Sequence, residues 1–154
     1  MYKRQIKNIC KKNKVKFLIN DDPILAIRLG ADGCHLGQKD MNIKEARKII
    51  GKKIIGITCH NSITLAKIAI KAKASYLAFG AFYSSKTKKT NHVADVKILK
   101  KIKKITKTPI VAIGGINSDN YKNLLLNNAN FLAISGYIWN NKKYKPLEAL
   151  KKLK

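Results

Sequence analysis

Acidic residues are scarce in this chain. Its 154 residues include 8 Asp and Glu against 33 Lys and Arg, a formal net charge of +25. Arginine is scarce within the basic set, with only Arg4, Arg28 and Arg47. The lysines fall at helix-surface spacings, such as Lys97, Lys100, Lys101, Lys103 and Lys104, instead of in one block. A nucleic-acid face needs clustered cations, and a single-strand platform needs aromatic rings. With 7% aromatic residues and dispersed lysines, nucleic acid is not an expected partner. The charge reads as compositional drift toward lysine that still favours anionic small molecules. The three cysteines, Cys10, Cys34 and Cys59, are an odd set without C-x-x-C spacing, so neither a disulfide framework nor a zinc site is indicated. No apolar run approaches the length of a membrane span, and the polar N-terminus carries no signal-peptide pattern. The expectation is a protein of a reducing cytoplasm with no membrane role. Proline occurs only at Pro23, Pro109 and Pro146, each at the edge of a predicted helix.

What is present is a repeated alternation. At 45% hydrophobic content, residues 1–154 suffice for one domain with a core of its own. A helix over residues 3–12 shows Ile6, Ile9 and Cys10 on one face. Apolar strands are expected at 15–19, 34–36, 54–58, 74–80, 110–113 and 131–134. Between them lie a helix with Ile43, Ala46, Ile49 and Ile50 inward, one containing Ala66, Ile68, Ala69 and Ile70, and a long basic helix spaced by Val96, Leu99, Ile102 and Ile105. Ser118 is the expected cap of a helix running to Leu126, and a last helix is expected over 146–153. Strand–helix alternation with short links means parallel strands flanked by helices, in an open doubly wound sheet or a (β/α) barrel. Both place chemistry at the carboxyl ends of the strands. Those ends hold Asn20-Asp21, Asp40, Thr58 to His60, the 80–90 loop, Gly114-Gly115 and Ser135-Gly136.

The 80–90 loop alternates hydroxyls with ammonium groups (Ser84, Ser85, Lys86, Thr87, Lys88, Lys89, Thr90) after a turn at Gly80. Such groups suit phosphate oxygens as donors and as point charges, although loops of this kind are commonly just solvated. Asp21 and Asp40 follow the first two strands, so adjacent strands would bring two of the few carboxylates together. Mg²⁺ prefers one or two carboxylates plus substrate phosphate oxygens; the competing reading is that Asp21 or Asp22 caps one helix and Asp40 the next. Gly114-Gly115 and Ser135-Gly136 fit either a phosphate site after the last two strands or two tight turns. His35, inside a strand, reads as packed or structural. His60 is a candidate acid–base or site-lining group, and His92 reads as solvated.

Taken together, Leu18-Ile19-Asn20-Asp21, Gly30 to Asp40, Gly56-Ile57-Thr58-Cys59-His60, Gly80 to Lys88, Ala112-Ile113-Gly114-Gly115-Ile116 and Ile134-Ser135 resemble the thiamine-phosphate synthase family, in order and spacing across nearly the whole chain. The resemblance implies a TIM-type (β/α)₈ barrel that joins hydroxymethylpyrimidine diphosphate to a thiazole phosphate and releases diphosphate. It implies Mg²⁺ on Asp21 and Asp40. It puts the pyrimidine diphosphate on Asn20, Thr58 and Lys88, with Thr58 and Lys88 as the catalytic candidates. The thiazole phosphate falls to Ser85, Lys86, Thr87, Gly115, Ile134 and Ser135.

Three positions depart from the family pattern conservatively: Thr58 for a usual serine, Ser85 for threonine, and Ala81 for proline. A larger departure is that six of the eight strand–helix units are recognisable, the first two being unmatched. The unmatched part includes a Gln/Arg/Lys cluster that grips the diphosphate in the family. Six units cannot close such a barrel. The expectation is therefore a fragment, a homo-oligomer in which a partner copy fills the gap, or a degenerate homologue, with weakened activity in the chain alone. The related thiazole tautomerase is the alternative enzyme, and a phosphate-ligand-binding homologue without activity is the alternative binder. Retention of both Asp21 and Asp40 argues against the tautomerase.

Overall fold

The computed structural model describes residues 2–84 and 92–153. In chain order the elements are α1 (Tyr2–Lys12), β1 (Leu18–Asn20), α2 (Pro23–Arg28), β2 (Gly33–Leu36), α3 (Ile43–Ile50), β3 (Ile54–His60), α4 (Ile63–Lys71), β4 (Tyr76–Phe79), α5 (Lys97–Lys103), β5 (Ile110–Ile113), α6 (Tyr121–Leu126), β6 (Phe131–Ala133), α7 (Gly136–Trp139) and α8 (Pro146–Lys151). The six strands form one parallel sheet in the order β1-β2-β3-β4-β5-β6. A doubly wound sheet reverses its strand order at a switch point, and this sheet has no reversal. Right-handed crossovers then carry every connecting helix to the same face. The architecture is α/β with one direction of winding.

Side chains alternate across a strand, and burial follows that period. Ile19, Cys34, Leu36, Ile55, Leu77 and Ile110 form the helix-covered face and are at most 6% exposed. The alternate positions Asn20, His35, Thr58 and Tyr76 lie on the opposite face and retain solvent contact. Parallel register aligns them: Asn20 pairs with His35, His35 with Gly56, and Gly56 with Tyr76.

The amino edge of the sheet is tied down by two residues whose charge is used locally. Asp32 accepts the Phe17 N–H at 2.9 Å and pairs with Lys16 at 3.1 Å. The Phe17 bond and then Lys16 hold its carboxyl below the ordinary value. Arg47 donates from Nη1 to the carbonyls of Gly51 and Lys53, and from Nη2 to that of Lys73. A lysine has no fork to span three carbonyls. At the other edge Asp22 caps α2, accepting the Leu25 N–H at 2.8 Å with Pro23 at the first helical position. Asp22→Ala is expected to destabilise the fold by about 1 kcal/mol, read as a lower urea midpoint at unchanged slope.

Several expectations need correction. Ile49, expected inward, is 39% exposed. The core-facing stripes are formed by Ile43, Ala46 and Ile50, by Ala66 and Ala69, and by Ile98, Leu99 and Ile102. Ile68 and Ile105 are 59% and 46% exposed, and Ile6 and Ile9 of α1 are 48% and 62% exposed. Ser118 does not cap α6. The turn before that helix is closed instead by Asn120, whose Oδ1 accepts the Asn117 N–H at 2.9 Å, while Ser118 Oγ donates to Asp119. The short helix α7 was not anticipated.

Candidate active site

The carboxyl ends of the strands gather the residues singled out in the sequence. Asn20 is the last residue of β1, and Asp21 follows it with φ +68, its N–H bonded to the His35 carbonyl at 2.7 Å. Asp40 lies just beyond β2, where its Oδ2 accepts the Gly37 N–H at 2.7 Å. Helix α3 is capped by Asn42, which accepts the Glu45 N–H. The cap reading is therefore right for Asp22 and wrong for Asp40, whose carboxylate pins the turn after β2 and keeps its other oxygen for further partners. His60 closes β3 with φ +51. Left-handed backbone at non-glycine residues is costly and concentrates at functional rims.

A hydrogen-bonded row crosses the open face. Tyr76 OH lies 2.9 Å from His35 Nδ1, and His35 Nε2 lies 2.9 Å from Thr58 Oγ1. The Tyr76 and His35 rings stack, with centroids 5.6 Å apart and planes at 15°. Gln38 Nε2 donates to the Thr58 carbonyl, anchoring the strand end that carries the hydroxyl. Gly56 makes room for this row, since a Cβ there would sit 1.9 Å from Tyr76 Cζ. Burial pushes the Tyr76 phenol up to about 12. It also lowers the His35 pKa, with the Asp40 carboxylate pulling the other way. Both groups are therefore held in their uncharged forms. His35 is the packed, structural residue expected, and it links two strands across the site.

The segment leaving β4 is joined to the end of β5. Phe82 N–H donates to the Ile113 carbonyl at 3.2 Å and Tyr83 N–H to the Gly114 carbonyl at 3.1 Å. Ala81 and His92 bond at 3.1 Å, and Ala94 bonds back to Ala81 at 2.8 Å, so residues on either side of the loop meet at its base. His92 is exposed, as expected, and its ring lies against His60, centroids 4.0 Å apart. Ser85, Lys86, Thr87 and Lys88 lie outside the described residues. Gly115 (φ +63) and Ile134-Ser135 follow the neighbouring strands β5 and β6. Ser135 opens α7, accepting the Ile138 and Trp139 N–H groups through its carbonyl. A separate surface cavity of about 370 Å³ beside α4 is lined by Asn61, Ser62, Asp95, Lys97 and Lys101, none of them an expected site residue. Among the described residues no group of three or more His, Cys, Asp and Glu side chains converges, and no helix is long and apolar enough to cross a membrane.

Sequence reasoning missed Tyr76. The available signal was register: a tyrosine on β4 level with Gly56 on β3, itself level with His35 on β2.

Comparison with known proteins bears on the whole chain. The thiamine monophosphate synthase family matches residues 2–138. The thiamine-phosphate synthase of Pelagibacter ubique is 71% identical over 151 residues, 98% of this chain and 73% of its own length. That of Marinobacter nauticus is 43% identical over 134 residues, 86% of this chain and 60% of its own length. The chain thus spans about three-fifths to three-quarters of the length of these relatives. A solved thiamine phosphate pyrophosphorylase from Pyrococcus furiosus superposes with a TM-score of 0.89 at 28% identity, covering 99% of this chain and 72% of that one.

Proposed function

Because the chain belongs to the thiamine monophosphate synthase family, we propose that it is a transferase joining hydroxymethylpyrimidine diphosphate to a thiazole phosphate with release of diphosphate. The observation that carries this reading is the gathering of the family-matching residues at one edge of a sheet wound in a single direction. Asn20 and Asp21 end β1, Asp40 follows β2, Thr58 is on β3, and Gly115 and Ser135 follow β5 and β6.

Asp21 and Asp40 would hold Mg²⁺. The donor set fits: hard carboxylate oxygens on neighbouring strand ends, one oxygen of Asp40 already committed to Gly37 N–H, and no wider ligand cage among the described residues. When bound, the ion would neutralise negative charge building on the departing diphosphate. Thr58 donates a hydrogen bond to the same diphosphate, Asn20 orients the pyrimidine end, and Lys88 adds a positive charge. Loss of diphosphate leaves a pyrimidine-methyl cation, and the thiazole nitrogen attacks that carbon with the electron pair that forms the new C–N bond. Ser85, Lys86, Thr87, Gly115, Ile134 and Ser135 grip the thiazole phosphate so that the nitrogen is held within reach of the carbon, which removes most of the entropic barrier.

The finer reading of the fold is a (β/α)₈ barrel with two further units between β6 and β1, which here pair on one side only among the described residues. Turnover by the chain alone is accordingly expected to be weak. A cytoplasmic location and a homo-oligomer belong to the same reading; the buried free thiols Cys34 and Cys59 are compatible with a reducing compartment.

The test is to incubate the chain with both substrates and Mg²⁺ and follow thiamine phosphate by mass spectrometry. Product that requires both substrates and disappears with EDTA supports the reading. No product at enzyme concentrations matching the substrate overturns it for this chain. Thiazole isomerisation insensitive to EDTA would move the assignment to the tautomerase.

A further inference from the structure

We infer that Tyr76 and His35 are positioning residues that fix Thr58 as an outward hydrogen-bond donor toward the anionic substrate. This rests on the proposed reaction for its substrate, though the hydrogen-bonded row itself does not. The three groups stand in line, with Tyr76 OH 2.9 Å from Nδ1 and Thr58 Oγ1 2.9 Å from Nε2 of the one imidazole. A neutral imidazole has one donor and one acceptor nitrogen, so the row has only two self-consistent polarities.

In the first, Tyr76 O–H donates to Nδ1, Nε2–H donates to Thr58 Oγ1, and the threonine hydrogen points away from histidine. In the second, Thr58 O–H donates to Nε2 and Nδ1–H donates to the tyrosine oxygen. Thr58 then presents only lone pairs outward, and the tyrosine hydrogen needs another acceptor. A diphosphate oxygen is repelled by lone pairs and attracted by a donor, so an anionic ligand selects the first polarity. Geometry holds the parts in place. The Tyr76 ring occupies the space left by Gly56 and stacks on His35, while Gln38 anchors the Thr58 carbonyl.

Two measurements test this. The first is ¹⁵N NMR of the His35 ring in the full chain, which distinguishes the tautomers without any turnover. The Nε2–H form is expected to dominate with Mg²⁺ and inorganic diphosphate added, and Tyr76→Phe is expected to return a mixture. A dominant Nδ1–H form under those conditions, or a tautomer unchanged by Tyr76→Phe, overturns the inference. The second is a double-mutant cycle on kcat. Tyr76→Phe alone is expected to lower kcat about three- to tenfold, the worth of one hydrogen bond, with little change in KM. In a Thr58→Val background the same change is expected to have no further effect. Multiplicative losses would show that Tyr76 acts by packing and not through Thr58. If the wild-type chain makes no thiamine phosphate, it is the reaction that fails, and the tautomer measurement alone still decides whether the row is polarised toward Thr58.

Discussion

Asp40→Asn is expected to lower thiamine phosphate formation by roughly 100-fold or more while leaving the fold nearly as stable. Asparagine keeps an oxygen that can accept the Gly37 N–H, now taken by Oδ2 at 2.7 Å. The turn after β2 should therefore survive and only the negative charge is lost. A 100-fold loss is about 2.7 kcal/mol of transition-state stabilisation, within the several kcal/mol that a cation on a leaving phosphate supplies. A purely structural Asp40 predicts a change in turnover of less than about threefold, since the one hydrogen bond is retained. Asp22→Asn is the control. It removes the same charge one residue beyond Asp21, yet asparagine caps a helix as well as aspartate does, so both turnover and the urea midpoint should hold. Turnover of Asp40→Asn within threefold of wild type across a Mg²⁺ titration would remove the metal reading.

The strand cores were legible because near-continuous apolar runs such as Ile54 to Ile57 and Ile110 to Ile113 have few other uses between glycines and prolines. Their order was not. Alternation alone allows a sheet that reverses or one that does not, and the choice lies in which strand pairs with which. The inward face of α3 was read one residue too broadly, since isoleucine is common in this lysine-rich composition and Ile49 stands at a spacing that looks inward but is 39% exposed. The carboxylates were legible as a set through their rarity. Which of them capped and which pinned a turn was not, because Asp22 and Asn42 do the capping through geometry one or two residues away from Asp21 and Asp40.

The row across the open face could have been found by counting in twos. His35 sits between buried Cys34 and Leu36, and Thr58 between buried Ile57 and Cys59, so both must face away from the helices. Parallel register then brings Tyr76 level with Gly56 and so with His35, two residues short of Thr58. A strand-interior position made a packed or structural His35 legible, but not which face of the sheet it serves, since only the helix-covered face is uniformly buried.

Gly115→Ala is expected to cost more than Gly51→Ala, although the two glycines have nearly the same φ. Their φ values are +63 and +59, a half of backbone space that L side chains rarely adopt, with Gly51 at ψ −128 outside the left-handed well, so each alanine carries a backbone penalty of about 1–3 kcal/mol. At Gly51 nothing lies within 4 Å of the added carbon, and that penalty is the whole effect. At Gly115 the carbon would fall 2.3 Å from the Ser84 carbonyl oxygen and 2.7 Å from Tyr83 backbone atoms. No side chain can swing aside there, because the obstacle is the main chain leaving β4. The strain adds about 1–3 kcal/mol unless the 82–84 segment gives up its bonds to Ile113 and Gly114. Urea unfolding should therefore rank wild type above Gly51→Ala, and Gly51→Ala above Gly115→Ala. If the segment moves instead, Gly115→Ala keeps more of its stability but residues 82–84 are displaced from the end of β5, and KM for the thiazole phosphate should rise about tenfold, a further expectation from the phosphate grip proposed above. Equal midpoints for the two variants, with KM unchanged, would mean that the join between the β4 and β5 ends does not constrain the phosphate side of the site.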